Sequence, residues 1–318
     1  MIAPTSPPTA LLFAGQGTQY VGMGRILRDR FPEARDVFEQ ADAALGEPLS
    51  RLIFEGPEDQ LTLTANTQPA VLTVAVAGWA VLRARGFVPS AVAGHSLGEF
   101  GALVASGALD FSDAIRLCRR RGELMQRAVD PGVGAMSAIG GLGPVEITPV
   151  VESVSGIVGI AADNAPGLVV ISGAAEAVAE ANDRLERLSA RVTPLPVSAP
   201  FHSPYLAPAA AGLGEALDAI TLRPLQVPYV DNVSATWTTE ITPEALKARL
   251  VAQITAPVRW RESLQQLFDH GIERFWHLGP GRSNLSHVKR IKRRTPVASL
   301  DTTADLDGIL NLLGSPST

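Results

Sequence analysis

Apolar residues along this chain fall into two rhythms. Short, nearly unbroken apolar runs that stop at glycine alternate with longer stretches whose apolar positions recur every three or four residues. The first run, 10–14, ends at Gly15-Gln16-Gly17 and predicts a strand buried on both faces. Helical patterns follow at 32–45 and 68–85, then a second strand at 88–93, broken at Gly94, and helices at 97–106 and 111–128. Strand, glycine turn and helix in repetition predict an α/β fold with a parallel sheet. Near Gly132 the texture changes. Strands are expected at 135–139, 157–161, 168–172 and 192–197, with helices at 143–154 and 175–188. That β-α-β-β-α-β order is the ferredoxin-like pattern. It predicts a small subdomain, 133–197, inserted into a core made of 1–132 and 198–318. Strands at 227–230 and 275–278 return the chain to the core, and no internal repeat is evident.

Composition narrows the class. Of 318 residues, 46% are hydrophobic and 19% charged, which suits a folded globular chain. The formal charge of −5 gives no global attraction to nucleic acid or to anionic lipid, so neither is expected as a partner. The single cysteine, Cys118, cannot form an internal disulfide and points to a reducing, cytoplasmic setting. The weakly charged stretch 68–82 falls short of the roughly 20 apolar residues that a bilayer needs, so no membrane span is expected. Met1 to Pro8 has no basic region typical of a secretory signal and reads as a loose leader; Gly314 to Thr318 reads as a loose end.

The chemistry begins at Gly94-His95-Ser96-Leu97-Gly98. A G-x-S-x-G motif between a strand and a helix forces a tight turn that exposes the serine hydroxyl. The helix starting just beyond offers unpaired N–H groups and a dipole that favours negative charge, so the N–H of Leu97 can face an oxyanion. A serine nucleophile needs a base. His95 adjoins Ser96 and should point elsewhere, which leaves His202, His270, His277 and His287. His202 lies between prolines at the expected junction of the two units, but residues alone do not separate it from His270 or His277. Gly15-Gln16-Gly17 lacks the lysine of a phosphate loop and the spacing of a dinucleotide fingerprint. Arg119-Arg120-Arg121 sits on one helix, where neighbours point about 100° apart and at most two can face inward.

Taken together, the motifs resemble the malonyl-CoA:acyl-carrier-protein transacylases and related polyketide-synthase acyltransferase domains. The matching pieces are Gly15-Gln16-Gly17-Thr18-Gln19, Thr67-Gln68-Pro69-Ala70, Gly94-His95-Ser96-Leu97-Gly98-Glu99-Phe100 and Arg121-Gly122-Glu123-Leu124-Met125-Gln126. Later pieces are Asp163-Asn164-Ala165-Pro166-Gly167, Phe201-His202-Ser203-Pro204, Asp231-Asn232-Val233, Pro257-Val258-Arg259-Trp260 and Gly279-Pro280-Gly281. They run in family order from about residue 11 to 291.

The resemblance implies an α/β-hydrolase-like core with a ferredoxin-like insert. It casts Ser96 as the acylated nucleophile and His202 as its base, with Gln16 and Leu97 as the oxyanion hole. Arg121 matches the arginine that binds the malonyl carboxylate, Asn164 a supporting position, and Gln253 the residue whose backbone carbonyl holds the histidine. Phe201 resembles the malonyl-type signature, in which an aromatic crowds the α-carbon pocket. Ala14, Thr18 and Phe100 depart from the family's usual proline, serine and tyrosine without removing a reactive group. The implied reaction is ping-pong, from a coenzyme A thioester through acyl-serine to an acyl carrier protein, by a monomer with no metal and no cofactor. The densest basic run, Lys289 to Arg294, is a candidate docking face for an acidic carrier. Rival readings are an esterase using Ser96, Asp231 and His270 or His277, an acylhydrolase of the same fold, and an inactive scaffold that only docks carrier protein.

Overall fold

The computed structural model describes residues 7–130, 132–197 and 199–314. Most of the expected N-terminal leader, and the tail beyond Gly314, lie outside those residues.

The larger of two sheets has six strands. These are β1 (Thr9–Phe13), β2 (Ala91–Gly94), β7 (Tyr229–Val230), β8 (Trp237–Thr238), β9 (Arg274–Leu278) and β10 (Val297–Ser299), in the order β10-β9-β1-β2-β7-β8. All neighbours pair parallel except β7 and β8. Ala10, Leu11, Leu12 and Phe13 are fully buried, as are Ala91, Val92 and Ala93. Helices cover both faces, which is why these strands read as unbroken apolar runs. The expected strand at 88–93 begins only at Ala91, and Val88 is 73% exposed. Pro89 has no N–H to give to a ladder, so pairing starts after it.

The apolar stretch expected as a helix at 68–85 is a helix over Thr64–Arg83. With 20 residues it reaches the length and apolarity of a membrane span, contrary to the sequence expectation, but 89% of that window is buried inside the protein. It is the central helix of the core. It also tolerates an interior proline: Pro69 offers no N–H to the Ala65 carbonyl, and Arg119 Nη1 donates to that oxygen instead at 2.8 Å.

The smaller sheet consists of β3 (Gly134–Gly140), β4 (Val158–Ala165), β5 (Leu168–Ala174) and β6 (Arg191–Pro194), ordered β4-β5-β3-β6 and antiparallel throughout. Helices Pro144–Glu152 and Ala175–Arg187 lie between β3 and β4 and between β5 and β6 in the chain. Together they bury a separate apolar cluster around Ile139, Ile147, Ile171, Val178 and Leu185. β4 runs four residues past its expected end and carries two register shifts, which take Asp163 and Asn164 into the strand. β6 stops at Pro194 rather than at Val197, because Pro194 and Pro196 cannot donate to a ladder. The small sheet is tied to the core where Val258, in the loop before helix Trp260–Asp269, bonds Ala161 and Asp163 across a short parallel bridge. The chain leaving β6 then carries His202 back towards the end of β2.

Candidate active site

Ser96 occupies the turn between β2 and helix Gly98–Ala105. A Cβ on Gly94 would lie 2.0 Å from the Gly98 carbonyl, and one on Gly98 would lie 2.3 Å from the Phe13 oxygen. Only glycine lets strand and helix approach so closely. The turn holds Ser96 at φ 51°, in the left-handed region that side chains avoid. Asn232, just after β7, pins it: the Ser96 N–H donates to Asn232 Oδ1 at 2.6 Å, and Asn232 Nδ2 donates to the Gly94 carbonyl at 2.7 Å. Leu97 is buried at the helix N-terminus, where the first N–H groups have no intrahelical partner.

His202 reaches this turn from 106 residues away, with its Nε2 2.8 Å from Ser96 Oγ. Its backbone is also left-handed, at φ 57°. Two backbone carbonyls, of Gln253 at 2.9 Å and Ala256 at 3.1 Å, face its Nδ1. Carbonyls only accept, so Nδ1 carries the proton and Nε2 is left as the acceptor for the serine hydroxyl. Burial, and then the Arg121 charge, push His202 down to about 3, against the pull of the Gln253 carbonyl. The imidazole is therefore neutral across the physiological range. Its preference for the neutral form contributes stability that is present above about pH 6.5 and is lost as pH falls towards 3. Acylation by an acyl-CoA whose acyl group is uncharged should accordingly keep its full kcat/KM at pH 5.5, where an ordinary histidine base would have lost about 90% of it; a pH–rate profile checks this.

Arg121 completes the cluster. The three arginines fan out as helix geometry requires: Arg120 is exposed, Arg119 caps the Ala65 carbonyl, and Arg121 is 2% exposed. Its Nη1 donates to Gln68 Oε1 at 2.8 Å, and its Nη2 to Gln253 Oε1 at 2.8 Å and to Ser96 Oγ at 3.1 Å. Its Nε–H is buried without a partner, and among the described residues no carboxylate lies within salt-bridge distance. Burial lowers the guanidinium to about 10, which leaves it charged at neutral pH. A buried cation held only by neutral groups, one contact from a serine hydroxyl, is a site for an anionic group that arrives from outside.

The other expected residues take different places. Gln16 lies on the loop after β1, and its amide donates to Thr64 Oγ1 at 3.1 Å rather than to Ser96. Asn164 Oδ1 is 2.7 Å from His95 Nε2, so the pair brackets the turn from the small sheet. Phe201 is buried in the main core directly before His202. His270 stacks on Trp237 with ring centroids 4.3 Å apart and bonds the Gln266 carbonyl. His277 is fully buried against the Pro280 carbonyl and pushed down to about 4 by burial. Asp231 is engaged by Arg249 and by Val233 and Ser234. The esterase grouping of Ser96, Asp231 and a C-terminal histidine is therefore not assembled. Gln68, Glu99 and Asn232 belong to motifs visible in the sequence, but only their burial as polar groups, each 0% exposed, reveals their part in the site.

The model of the acyl transferase domain family matches residues 10–283. The chain belongs to the acyl transferase family. Within that family it is 44% identical over 289 residues to the malonyl CoA-acyl carrier protein transacylase of Bacillus subtilis, covering 90% of each chain. It is 39% identical to the enzyme of that name from Escherichia coli K12, covering 95% of this chain and 99% of the relative. Among solved acyl transferases, the acyl-carrier-protein S-malonyltransferase of Bartonella henselae superposes with TM-score 0.92 at 40% identity, over 97% of this chain and 100% of that one. A malonyl-transacylase in complex with a type II polyketide-synthase acyl-carrier protein superposes equally well, with TM-score 0.92 at 40% identity over 96% and 99% of the two chains.

Proposed function

We propose that this acyl transferase moves a malonyl group from coenzyme A to the phosphopantetheine thiol of an acyl carrier protein. The observation that carries the reading is the Arg121 guanidinium, buried with no carboxylate in contact among the described residues and 3.1 Å from the hydroxyl that His202 activates. In the first half-reaction Ser96 Oγ attacks the thioester carbonyl while its proton passes to His202 Nε2. The tetrahedral oxyanion is met by the Leu97 N–H and by Gln16, and the coenzyme A thiolate leaves with the proton from His202. In the second half-reaction the carrier thiol gives its proton to His202 and attacks acyl-Ser96, which restores the hydroxyl. The Gln253 and Ala256 carbonyls fix the tautomer, a task that a carboxylate performs in other triads. Arg121 holds the malonyl carboxylate with its planar fork. Phe201 limits the space at the α-carbon, and Asn164 supports the turn through His95. Each of these steps is assigned to the chain's own side chains and backbone groups, and the reading calls on no cofactor or metal.

The larger layer is read as an α/β-hydrolase-like core and residues 133–197 as a ferredoxin-like subdomain, supported by the β-α-β-β-α-β order and its antiparallel sheet. The partner reading draws support from the carrier complex of the related transacylase and from the exposed Lys289, Arg290, Lys292, Arg293 and Arg294. A monomer working in the cytoplasm fits the free-standing relatives and the single buried cysteine.

Incubating the protein with malonyl-CoA and phosphopantetheinylated carrier protein tests the reading. Malonyl-carrier and free coenzyme A should appear in equal amounts. Release of free malonate, with no malonyl-carrier formed, would favour the acylhydrolase instead.

A further inference from the structure

Glu99 is the acid of the G-H-S-L-G-E segment, and nothing in the mechanism above uses it. It is 0% exposed. Donors surround it: the Tyr229 hydroxyl on Oε1, and on Oε2 the Asn232 N–H at 3.3 Å and Gln253 Nε2 at 2.6 Å. The same Gln253 amide turns its oxygen to Arg121 at 2.8 Å. One buried amide therefore separates the carboxyl group from the guanidinium, in a cluster whose members are at most 2% exposed. Glu99 lies one amide away from Arg121, and its charge favours the charged form of that arginine.

We propose that Glu99 is a positioning residue that sets how strongly the site reads an acyl carboxylate. The inference rests on the malonyl-transfer reading. Acting through Gln253, the Glu99 charge balances Arg121 while the site is empty, so the cation stays ordered without substrate. When a malonyl carboxylate takes its place on Arg121, the cluster holds two anions and one cation, and Glu99 opposes the newcomer. For charges roughly 10 Å apart at an effective dielectric near 20, that opposition is worth about a tenfold change in affinity. The consequence is a carboxylate held firmly enough to be selected and loosely enough to be passed on.

Glu99→Gln isolates the charge. Its amide oxygen can accept from Asn232 and Gln253 as Oε2 does, while its amide nitrogen faces Tyr229. At pH 8 the variant should raise the malonyl-to-acetyl ratio of kcat/KM about tenfold, mainly through a lower KM for malonyl-CoA. A ratio within twofold of wild type, or a lower one, overturns the proposal.

The wild-type enzyme gives a second measurement that needs no variant. Burial, reinforced by Asp231, raises Glu99 to about 7 against the pull of its hydrogen-bond donors. The other ionisable groups around it are Tyr229, pushed well above 10, Arg121 at about 10, and Asp231 paired with Arg249 at 3.0 Å; His202 lies across the cluster at about 3. Protonation of Glu99 should make the wild-type malonyl-to-acetyl ratio rise as pH is lowered from 8.5 to 6, while the ratio of Glu99→Gln stays flat. A flat wild-type ratio overturns the proposal even if the variant does not fold. The function reading fails separately: if malonyl-CoA leaves no adduct on the wild-type protein, that reading falls and this one with it, whereas an adduct with an unmoved ratio removes only the role of Glu99.

Discussion

Arg121→Ala should reduce malonyl transfer by roughly two to three orders of magnitude while acetyl transfer holds steady or rises. The wild-type site presents a desolvated guanidinium whose Nε–H has no partner and whose Nη groups meet only Gln68, Gln253 and Ser96. A malonyl carboxylate supplies an anion in direct contact, which the fold itself does not; an acetyl group leaves the guanidinium with neutral contacts only. Breaking a buried charge pair by removing one partner costs about 3–5 kcal/mol, and about 1.4 kcal/mol is tenfold in rate. The alanine variant loses both the attraction to malonyl and the penalty against acetyl, so the two rates should converge. Arg120→Ala is the control, since Arg120 faces solvent near Glu123 and should leave the ratio unchanged. Parallel kcat/KM measurements with malonyl-CoA and acetyl-CoA decide the point: an unaltered ratio in Arg121→Ala would remove the physical basis of the malonyl assignment.

His202→Ala should slow acylation of Ser96 by roughly four to six orders of magnitude, the range seen when one member of a nucleophile–base unit is removed. The imidazole Nε2 lies 2.8 Å from Ser96 Oγ, within reach of its proton, and two carbonyls face Nδ1 and fix the tautomer. His270→Ala removes only a surface stacking partner of Trp237 and should acylate at close to the wild-type rate. His277→Ala leaves a hole under β9 and should lower thermal stability while leaving the acylation rate of the folded protein near wild type. Single-turnover acylation rates separate these outcomes, and a large rate loss in the folded His277 variant with a mild one at His202 would restore the esterase grouping.

The contrast between what the sequence reveals and what it conceals follows from which interactions are local. The run 10–14 is legible because its strand is buried on both faces, and the turn at Ser96 because Gly94 and Gly98 are its steric requirement. Val88 is apolar and adjoins a true strand, but Pro89 ends the ladder before reaching it. Helix geometry limits how many of the three arginines can face inward without choosing among them. The choice is made by a distant feature, the Ala65 carbonyl left open by Pro69, which engages Arg119 and leaves Arg121 to enter the site. His202 is indistinguishable from His270 on its own residues because its defining contact spans 106 positions. Glu99, Asn232 and Gln253 form a buried polar network, and hydropathy gives no sign of a polar group that is satisfied by partners far along the chain.

The central claim is that Ser96 accepts a malonyl group from coenzyme A. Brief incubation of the wild-type protein with malonyl-CoA, rapid acid quenching and peptide mapping by mass spectrometry test it most directly. The account predicts a malonyl ester on the peptide bearing Ser96, absent from Ser96→Ala and lost when carrier thiol is added before the quench. An adduct on any other residue, or an adduct on Ser96 that forms equally well from acetyl-CoA, would contradict it.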